Sequence, residues 1–347
     1  MRSPERILRV LEGGEPDKVP FFDFLYNATS LERFAAGRRL TPEVKMKIWR
    51  SLGFDLVCLG LDSDESSRVK WLSSDVYTDE WGIKRKVGQG MSWYLDGSVK
   101  SREDLDSLEV PALDPESSTK TLRWALARYK DDVACSVSVS GVFTQVWSMM
   151  GFADFVRALF ADRALIKDLL ELVNRYLIEA GHACIDTGAE FIWIADDYGG
   201  SNGPMISPKH FGELILPCLE RMVREFKKRG AWVLLHCDGN VNSLMDDIVR
   251  TEIDAFHPVE RKAGMSLAGM KRRYGERITL IGNLEASRLI PFGSWGEIDA
   301  GIRDCFSDGA PGGGYVFASD HSIHPAISAE RARFVYERAG RYRDYPR

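Results

Sequence analysis

The sharpest change from apolar to polar residues in this chain falls within residues 231–240, AWVLLHCDGN. The first half of this stretch is mostly apolar and predicts a buried strand. The strand leads directly into His236, Cys237 and Asp238, and a glycine follows to turn the chain. Because side chains alternate along extended backbone, we expect His236 and Asp238 to share one side and Cys237 to point into packing. The pattern is typical of an active-site floor.

Strand-like apolar runs alternate with segments of helical periodicity along most of the chain. Strands are predicted at 19–24, 54–59, 133–140, 190–195, 231–235, 253–256, 277–281 and 315–318. Helices are predicted at 4–12, 42–52, 121–130, 208–229, 241–250, 266–274, 297–307 and 328–340, with a helix-rich stretch at 144–187. This alternation favours an α/β fold of the (β/α)8 TIM-barrel type, with an open doubly wound sheet as the alternative. The absence of G-x-G-x-x-G after a strand argues against a dinucleotide-binding sheet.

The remaining segments are predicted to be additions to this barrel. The first helix predicts an N-terminal helical extension, and the aromatic-rich stretch 75–95 predicts a β-hairpin excursion. The polar residues 100–117 contain two prolines and predict a surface connection. Because no other break is visible, we interpret residues 1–347 as a single domain. The aromatic residues at 21–26 and 81–94 predict core packing, with the wall of a substrate pocket as the alternative.

Composition narrows the class of protein. The net charge of −5 gives no basic patch for nucleic acid. No apolar run approaches the roughly 18 residues needed to cross a membrane. The N-terminal residues lack the apolar segment of a signal peptide, and the six cysteines show no C-x-x-C spacing, so we expect reduced thiols and a cytoplasmic enzyme. Homo-oligomerisation is left open.

Polar side chains follow five of the predicted strands. The carboxyl ends of parallel barrel strands meet at one face, which carries the active site. The residues that follow the strands there are Asp196, Asp197 and Tyr198; His236, Cys237 and Asp238; His257, Pro258 and Glu260; Gly282, Asn283 and Glu285; and Ser319, Asp320, His321 and His324. Four of the six histidines belong to this set. Each residue alone is explained as well by hydrogen bonding or helix capping.

The clustering on consecutive strands favours a metal. A catalytic zinc takes three protein ligands and leaves one position open. His236 and Asp238 are the predicted pair, and either Glu260 or His321 is the third ligand. Asp197, Tyr198 and Asn283 are the candidate catalytic residues, listed from the same strand ends.

Several sequence runs resemble the uroporphyrinogen decarboxylase superfamily. They are ERILRVLEGGEPDKVP (5–20), DEWG (79–82), ISPKHF (206–211), LHCDGNV (235–241), HPVE (257–260), YGERITLIGN (274–283) and APGGGYVF (310–317). The resemblance spans nearly the whole chain, and it implies a (β/α)8 barrel.

The superfamily contains two chemistries. Its decarboxylases hold the carboxylates of the substrate with an arginine-rich segment similar to R-Q-A-G-R. Here the corresponding residues after Val19-Pro20 read FFDFLYNA, with no arginine before Arg33. The chain therefore lacks the cationic clamp that a polyanionic tetrapyrrole needs. The other branch contains corrinoid-dependent methyltransferases, which bind zinc through an H-x-C motif and a later cysteine.

The H-x-C motif is altered in this chain. Asp238 stands in the place of its cysteine, and no cysteine stands near 319–321. Harder ligands leave zinc a stronger Lewis acid, which suits the cleavage of an ether. The pattern is similar to the methyl-ether O-demethylase group. This resemblance implies that His236, Asp238 and Glu260 bind the metal, and His321 is added by its position alone.

The resulting expectation is a zinc-dependent methyltransferase of the O-demethylase type. It would move a methyl group from a methoxylated substrate, an aromatic ether, to cobalamin carried by a separate corrinoid protein, since the chain has no room for a cobalamin domain of its own. Asp197 or Tyr198 would position or protonate the leaving oxygen. The alternatives are a metal-free lyase, such as a decarboxylase acting on a carboxylic acid, and a non-catalytic barrel that binds a small molecule or serves a corrinoid protein as a chaperone.

Overall fold

The protein is represented by a computed structural model that describes residues 1–62, 69–88 and 91–345. The strands are β1 (Leu56–Gly60), β2 (Lys70–Trp71), β3 (Val76–Thr78), β4 (Lys84–Gly88), β5 (Met91–Asp96), β6 (Ala134–Ser140), β7 (Phe191–Ala195), β8 (Gly199–Gly200), β9 (Gly203–Pro204), β10 (Trp232–His236), β11 (Ala255–His257), β12 (Thr279–Leu284) and β13 (Tyr315–Ser319). The helices are α1 (Ser3–Leu11), α2 (Ala28–Ala35), α3 (Pro42–Ser51), α4 (Arg102–Asp106), α5 (Pro115–Ser118), α6 (Lys120–Tyr129), α7 (Val142–Met150), α8 (Phe152–Ala161), α9 (Arg163–Asp186), α10 (Pro208–His210), α11 (Leu216–Lys228), α12 (Met245–Arg250), α13 (Leu267–Tyr274), α14 (Leu289–Phe292), α15 (Trp295–Gly309) and α16 (Ala329–Ala339).

Seven parallel strands form the main sheet, in the order β1-β6-β7-β10-β11-β12-β13. The gap between its two edges is filled by residues 20–22. The N–H of Phe22 donates to the carbonyl of Phe317 in β13 at 3.0 Å, and the N–H of Asp55, next to β1, donates to the carbonyl of Phe21 at 2.8 Å. The sheet therefore curls into the TIM-barrel-like α/β fold that the sequence predicts.

The predicted strand at 19–24 is shorter than expected. Its pairing with β13 is a single bridge between Phe21 and Phe317. Two residues later, the carboxylate of Asp23 accepts the N–H of Ser319 at 3.0 Å and its hydroxyl at 2.9 Å. A side chain therefore takes over the hydrogen bond that a longer strand would have made through its backbone.

Because successive side chains of a strand point to opposite sides, the barrel strands contribute to two apolar layers, one inside the barrel and one beneath the helices. One set of side chains fills the barrel interior: Phe22, Leu56, Ala134, Phe191, Trp193, Leu234, Ala255, Ile281, Val316 and Ala318. The intervening residues pack against the helices, and Leu235 and Cys237 belong to this outer layer. Cys237 is 1% exposed, as the alternation predicts. His236 follows Leu234 by two residues and so lies on the interior side.

The predicted helix at 208–229 is interrupted by a turn of π-helix at Phe211–Ile215. Pro217 at the start of α11 has no N–H to donate to the carbonyl four residues before it, which accounts for the wider turn. The rest of α11 buries Leu219, Met222, Val223 and Phe226, whose spacing of three and four residues places them on one face.

The predicted hairpin excursion is a four-stranded antiparallel sheet, β2-β3-β4-β5. Residues 89 and 90 of the predicted hairpin lie outside the described residues. The sheet follows β1, so it stands at the carboxyl end of the barrel. Beyond β5, the N–H of Val99 donates to the carbonyl of Met149 in α7 at 2.8 Å. The predicted connection at 100–117 also contains α4 and part of α5. Within the described residues, no helix is both long and apolar enough to span a membrane.

Candidate functional site

Neighbouring strands bring three predicted site residues together at the carboxyl end of the barrel. His236 of β10 pairs with Ala195 of β7, so Asp197 and Asp238 follow adjacent strand ends. One ligand atom each from Asp197, His236 and Asp238 lie within 4.8 Å of one another. The Nε2 atom of His236 is 3.5 Å from Oδ2 of Asp238 and 3.8 Å from Oδ1 of Asp197. We call these three residues the Asp–His–Asp group.

Backbone contacts hold the two carboxylates in place. The N–H of Asp238 donates to Oδ1 of Asp197 at 2.9 Å. A Cβ atom on Gly199 would lie 2.5 Å from the carbonyl oxygen of Asp238, and one on Gly239 would lie 2.3 Å from the backbone of Gly199. Gly239 also has φ of +85°. Only glycine allows these two loops to approach so closely, and the approach brings Asp197 and Asp238 to the same point.

Glu260, a predicted metal ligand, contacts the same loop. Its Oε2 accepts the N–H of Gly239 at 2.7 Å. The group of three ligand atoms within 4.8 Å comprises Asp197, His236 and Asp238 and does not include Glu260. The third member of the group is thus Asp197, which the sequence predicted to act on the leaving oxygen. Direct ligation by Glu260 stays a prediction.

His321, the other predicted ligand, lies beside the group. Its Nε2 is 3.2 Å from Oδ2 of Asp238, and its side chain is 49% exposed. Its Nδ1 is 2.7 Å from the hydroxyl of Ser322. His321 therefore reaches the Asp–His–Asp group from the solvent side, through Asp238.

The charges in the site are strongly coupled. The hydrogen bond that His321 donates to the carboxylate of Asp238 raises the pKa of His321 to about 9. Burial lowers the pKa of His236, but the charges of Asp238 and Asp197 outweigh burial and raise it overall. Burial acts to raise the pKa of Asp238, yet His236 and His321 hold it well below its ordinary value. Burial and the charge of Asp238 raise the pKa of Asp197. The imidazoles of His236 and His321 are thus the groups that hold down the pKa of Asp238.

Two predicted catalytic residues have packing contacts. Tyr198 is 1% exposed and belongs to the layer between barrel and helices, where its ring lies 4.9 Å from that of Phe211. Asn283 is also 1% exposed. Its side-chain amide donates to the carbonyl of Val259 at 2.5 Å, and its Oδ1 accepts from Arg261 at 3.1 Å. Neither residue belongs to the Asp–His–Asp group, and their catalytic roles stay predictions.

Asp196 illustrates the capping role that the sequence left open. Its carboxylate accepts the N–H groups of Phe143 and Thr144 at 3.0 and 2.7 Å, at the start of α7. Burial raises its pKa to about 7. A Cβ atom on Gly141 would lie 1.9 Å from the Asp196 side chain, so a glycine is needed there. Asp196 thus connects the end of β7 to the start of α7 through hydrogen bonds, while Asp197 belongs to the Asp–His–Asp group.

An aromatic surface adjoins the Asp–His–Asp group. The ring of Phe24 lies 5.2 Å from the ring of His236 and 5.3 Å from that of Trp193. Phe22 stacks on Trp193 at 4.9 Å. Tyr26 lies next to Phe24 and is 63% exposed. Desolvation and the charges of Asp238 and Asp197 raise the pKa of Tyr26. We call Phe22, Phe24, Tyr26 and Trp193 the aromatic wall.

Sequence reasoning placed His257 among the residues at the strand ends but gave it no role in the site. It lies beside His236 on β11, and their Nδ1 atoms are 2.8 Å apart. The available signal was that both histidines end consecutive strands. Of the aromatic wall, Phe24 and Tyr26 were weighed mainly as core residues, because apolar residues give the same pattern in a core and in a pocket.

The fold and the site define a TIM-barrel-like protein with imidazole and carboxylate side chains at the carboxyl ends of its strands. The profile of the uroporphyrinogen decarboxylase (URO-D) family matches residues 75–342, which is most of the chain. The chain therefore belongs to the uroporphyrinogen decarboxylase family.

Similar proteins include two curated bacterial relatives. A uroporphyrinogen decarboxylase of Thioalkalivibrio sulfidiphilus is 25% identical over 75% of this chain and 75% of the relative. One of Alkalilimnicola ehrlichii is 24% identical over 94% of this chain and 91% of the relative.

Two solved structures share the fold. A methyltransferase from Methanosarcina mazei superposes with a TM-score of 0.78 over 99% of both chains, at 20% identity. A B12-independent methionine synthase from Shewanella sp. W3-18-1 gives a TM-score of 0.52 over 86% of this chain and 84% of that chain, at 11% identity. At these identities the likeness establishes the architecture.

Proposed function

We propose that this chain is a zinc-dependent methyltransferase of the O-demethylase type. It takes a methyl group from a methoxylated aromatic substrate and passes it to cobalamin on a separate corrinoid protein. The observation that carries the proposal is the Asp–His–Asp group, whose ligand atoms converge within 4.8 Å at the barrel mouth. Phe24 and Tyr26, the accessible members of the nearby aromatic wall, provide the surface for an aryl substrate.

The residues present fit a metal ion. The Oδ1 atom of Asp238 is buried and has no hydrogen-bond partner among the described residues. A buried carboxylate oxygen without a partner destabilises the folded protein unless a cation or a hydrogen-bond donor binds it. One imidazole nitrogen and two carboxylates form a donor set that zinc accepts, with further positions left for substrate. Asp197, His236 and Asp238 would hold the ion, with Glu260 supporting the loop and His321 next to it.

A bound zinc would act as a Lewis acid toward the ether oxygen. The rest of the reaction depends on this chain's side chains. Phe24 and Tyr26 pack against the aryl ring and orient its methoxy group, while the buried Phe22 and Trp193 support Phe24 from behind. When the C–O bond breaks, the methyl group goes to the acceptor and the electron pair stays on oxygen. The imidazole of His321, whose Nε2 lies 3.2 Å from Oδ2 of Asp238, is the group placed to supply the proton that this oxygen takes.

The comparisons support this branch at the level of the fold. A protein named a methyltransferase shares the fold over 99% of its chain. The charges in the site also suit a neutral ether better than a polycarboxylate. The segment after Pro20 supplies Phe22, Asp23 and Phe24, while the cations that act on Asp238 are His236 and His321. Two carboxylates with no arginine partner among the described residues repel an anionic substrate.

A metal-free decarboxylase is the second candidate, and the names of the curated relatives favour it. In that case Asp197 and His321 would serve as acid and base on a carboxylic acid. Such an enzyme would work equally well after treatment with a chelator.

Metal analysis of protein purified without chelator separates the two candidates. We expect about one zinc per chain, lost in His236→Ala and in Asp238→Ala. His182→Ala is the matched control because His182 lies on α9, away from the site. Decarboxylation of a carboxylic acid by chelator-treated protein, without methyl transfer from any methoxyarene, would overturn the proposal. Bound zinc without turnover of any donor would point to a binding role instead.

A further inference from the structure

His257 lies beside His236 on the adjacent barrel strand. The two residues are register partners on β10 and β11, and their Nδ1 atoms are 2.8 Å apart. His257 is fully buried. Its ring is enclosed by Phe22, Phe24 and Trp193, with centroid distances of 5.8, 5.2 and 5.7 Å. The imidazole is therefore held in one place.

The short distance between the rings fixes where one proton lies. Two imidazole nitrogens 2.8 Å apart must share a hydrogen bond, with one donating and the other accepting. The other nitrogen of His236, Nε2, faces Asp238 and Asp197. To bind a metal, Nε2 must present its lone pair, so the proton of neutral His236 must be on Nδ1. His257 must then accept that proton's hydrogen bond through an unprotonated Nδ1.

The surroundings of His257 suit an acceptor. Its Nε2 is buried and has no hydrogen-bond partner within the described parts of the chain. No polar group there competes to orient the ring, and its closest polar contact is therefore the one with His236.

We propose that His257 is a positioning residue whose Nδ1 accepts a hydrogen bond from Nδ1–H of His236 and thereby directs the Nε2 lone pair of His236 toward the metal. The inference rests on the metal site proposed above. It assigns His257 no contact with substrate or metal. Partners of this kind commonly contribute 10-fold to 100-fold to metal affinity.

The test is zinc affinity, measured by competition with a chromogenic chelator at neutral pH. His257→Leu removes the acceptor and is expected to weaken zinc binding about 10-fold to 100-fold. His257→Asn places an amide oxygen close to the former Nδ1 position, so it is expected to restore most of the affinity. His182→Leu is the matched control, since His182 also has a buried Nε2 with no hydrogen-bond partner in the described part of the chain but lies outside the site.

Two results would overturn the inference while leaving the metal site intact. One is zinc binding by His257→Leu within about threefold of the unsubstituted protein. The other is an Asn variant as weak as the Leu variant, since that would indicate a packing role alone.

If His257→Leu does not fold, the comparison of His257→Asn with His257→Gln decides. Gln moves the amide one bond further out, so tighter binding by Asn supports the inference, and equal binding contradicts it. A chain that binds no zinc before substitution would overturn the metal site and this inference together.

Discussion

The identity of the third metal ligand can be tested by comparing two isosteric substitutions. Asp197→Asn and Glu260→Gln each replace a carboxylate with an amide of the same shape. In the structure, Asp197 lies within the ligand group, while Glu260 accepts a hydrogen bond from Gly239 at 2.7 Å. We therefore expect Asp197→Asn to weaken zinc binding far more than Glu260→Gln.

The expected magnitudes follow from charge and geometry. A unit charge within about 4 Å of a cation contributes roughly 4 kcal/mol at an effective dielectric constant near 20. Loss of the Asp197 charge should therefore weaken zinc binding by about 100-fold to 1,000-fold, since 1.4 kcal/mol is tenfold. The amide of Glu260→Gln still accepts the N–H of Gly239. Only the charge-assisted part of one hydrogen bond is lost, about 1 kcal/mol, or roughly fivefold.

The assay is competition between each variant and a chelator of known zinc affinity. Circular dichroism shows that both variants are folded before their affinities are compared. A loss of affinity in Glu260→Gln greater than that in Asp197→Asn would refute the reasoning. It would show that Glu260 binds the ion directly, as the sequence resemblance implies, and that Asp197 has another role.

Three further predictions concern other parts of the molecule. In metal-free protein, Asp238→Asn should lower the pKa of His321 from about 9 toward 6.5, because Asp238 is the main partner of His321. A ¹⁵N NMR titration of His321 checks this shift. His321 contributes folding stability that is fully present below pH 6.5 and is lost as the pH rises through 9, and this contribution should disappear in the variant. Tyr26→Ala should raise KM for a methoxyarene about 2-fold to 10-fold. The free energy of unfolding should stay nearly unchanged, since Tyr26 is exposed. An unaltered KM in steady-state kinetics would exclude Tyr26 from the pocket. Arg6→Met should cost about 3 kcal/mol in urea unfolding, because it leaves the buried Asp55 carboxylate short of a partner, while zinc affinity stays the same.

Much of the fold could be predicted because barrel strands and helices have different periodicities. The alternation also predicted that Cys237 faces the helices and that His236 faces the interior. It could not predict how closely loops approach one another. The contact between Gly199 and Gly239 brings Asp197 against Asp238, and that contact joins residues 40 positions apart in the sequence.

The same limit explains the residues that the sequence placed less well. The predicted strand at 277–281 extends to Leu284, so Asn283 is still part of β12 and buried. Glu260 follows a strand in the sequence, yet its oxygen meets a backbone N–H of the neighbouring loop. Helix α2 was missed because its cap, Asn27, and its short apolar face give a weak pattern. Position after a strand therefore predicts nearness to the barrel mouth, but not the direction of each side chain.

The central claim is that metal held by the Asp–His–Asp group supports transfer of a methyl group from an aryl ether to a corrinoid. The most direct measurement mixes the protein with a methoxyarene and cob(I)alamin and follows methylation of the cobalamin by its absorption spectrum. We expect transfer by zinc-loaded protein, loss of transfer after chelation, and recovery when zinc is added back. Equal rates with and without metal, or no transfer from any of a broad panel of methoxyarenes, would contradict the claim.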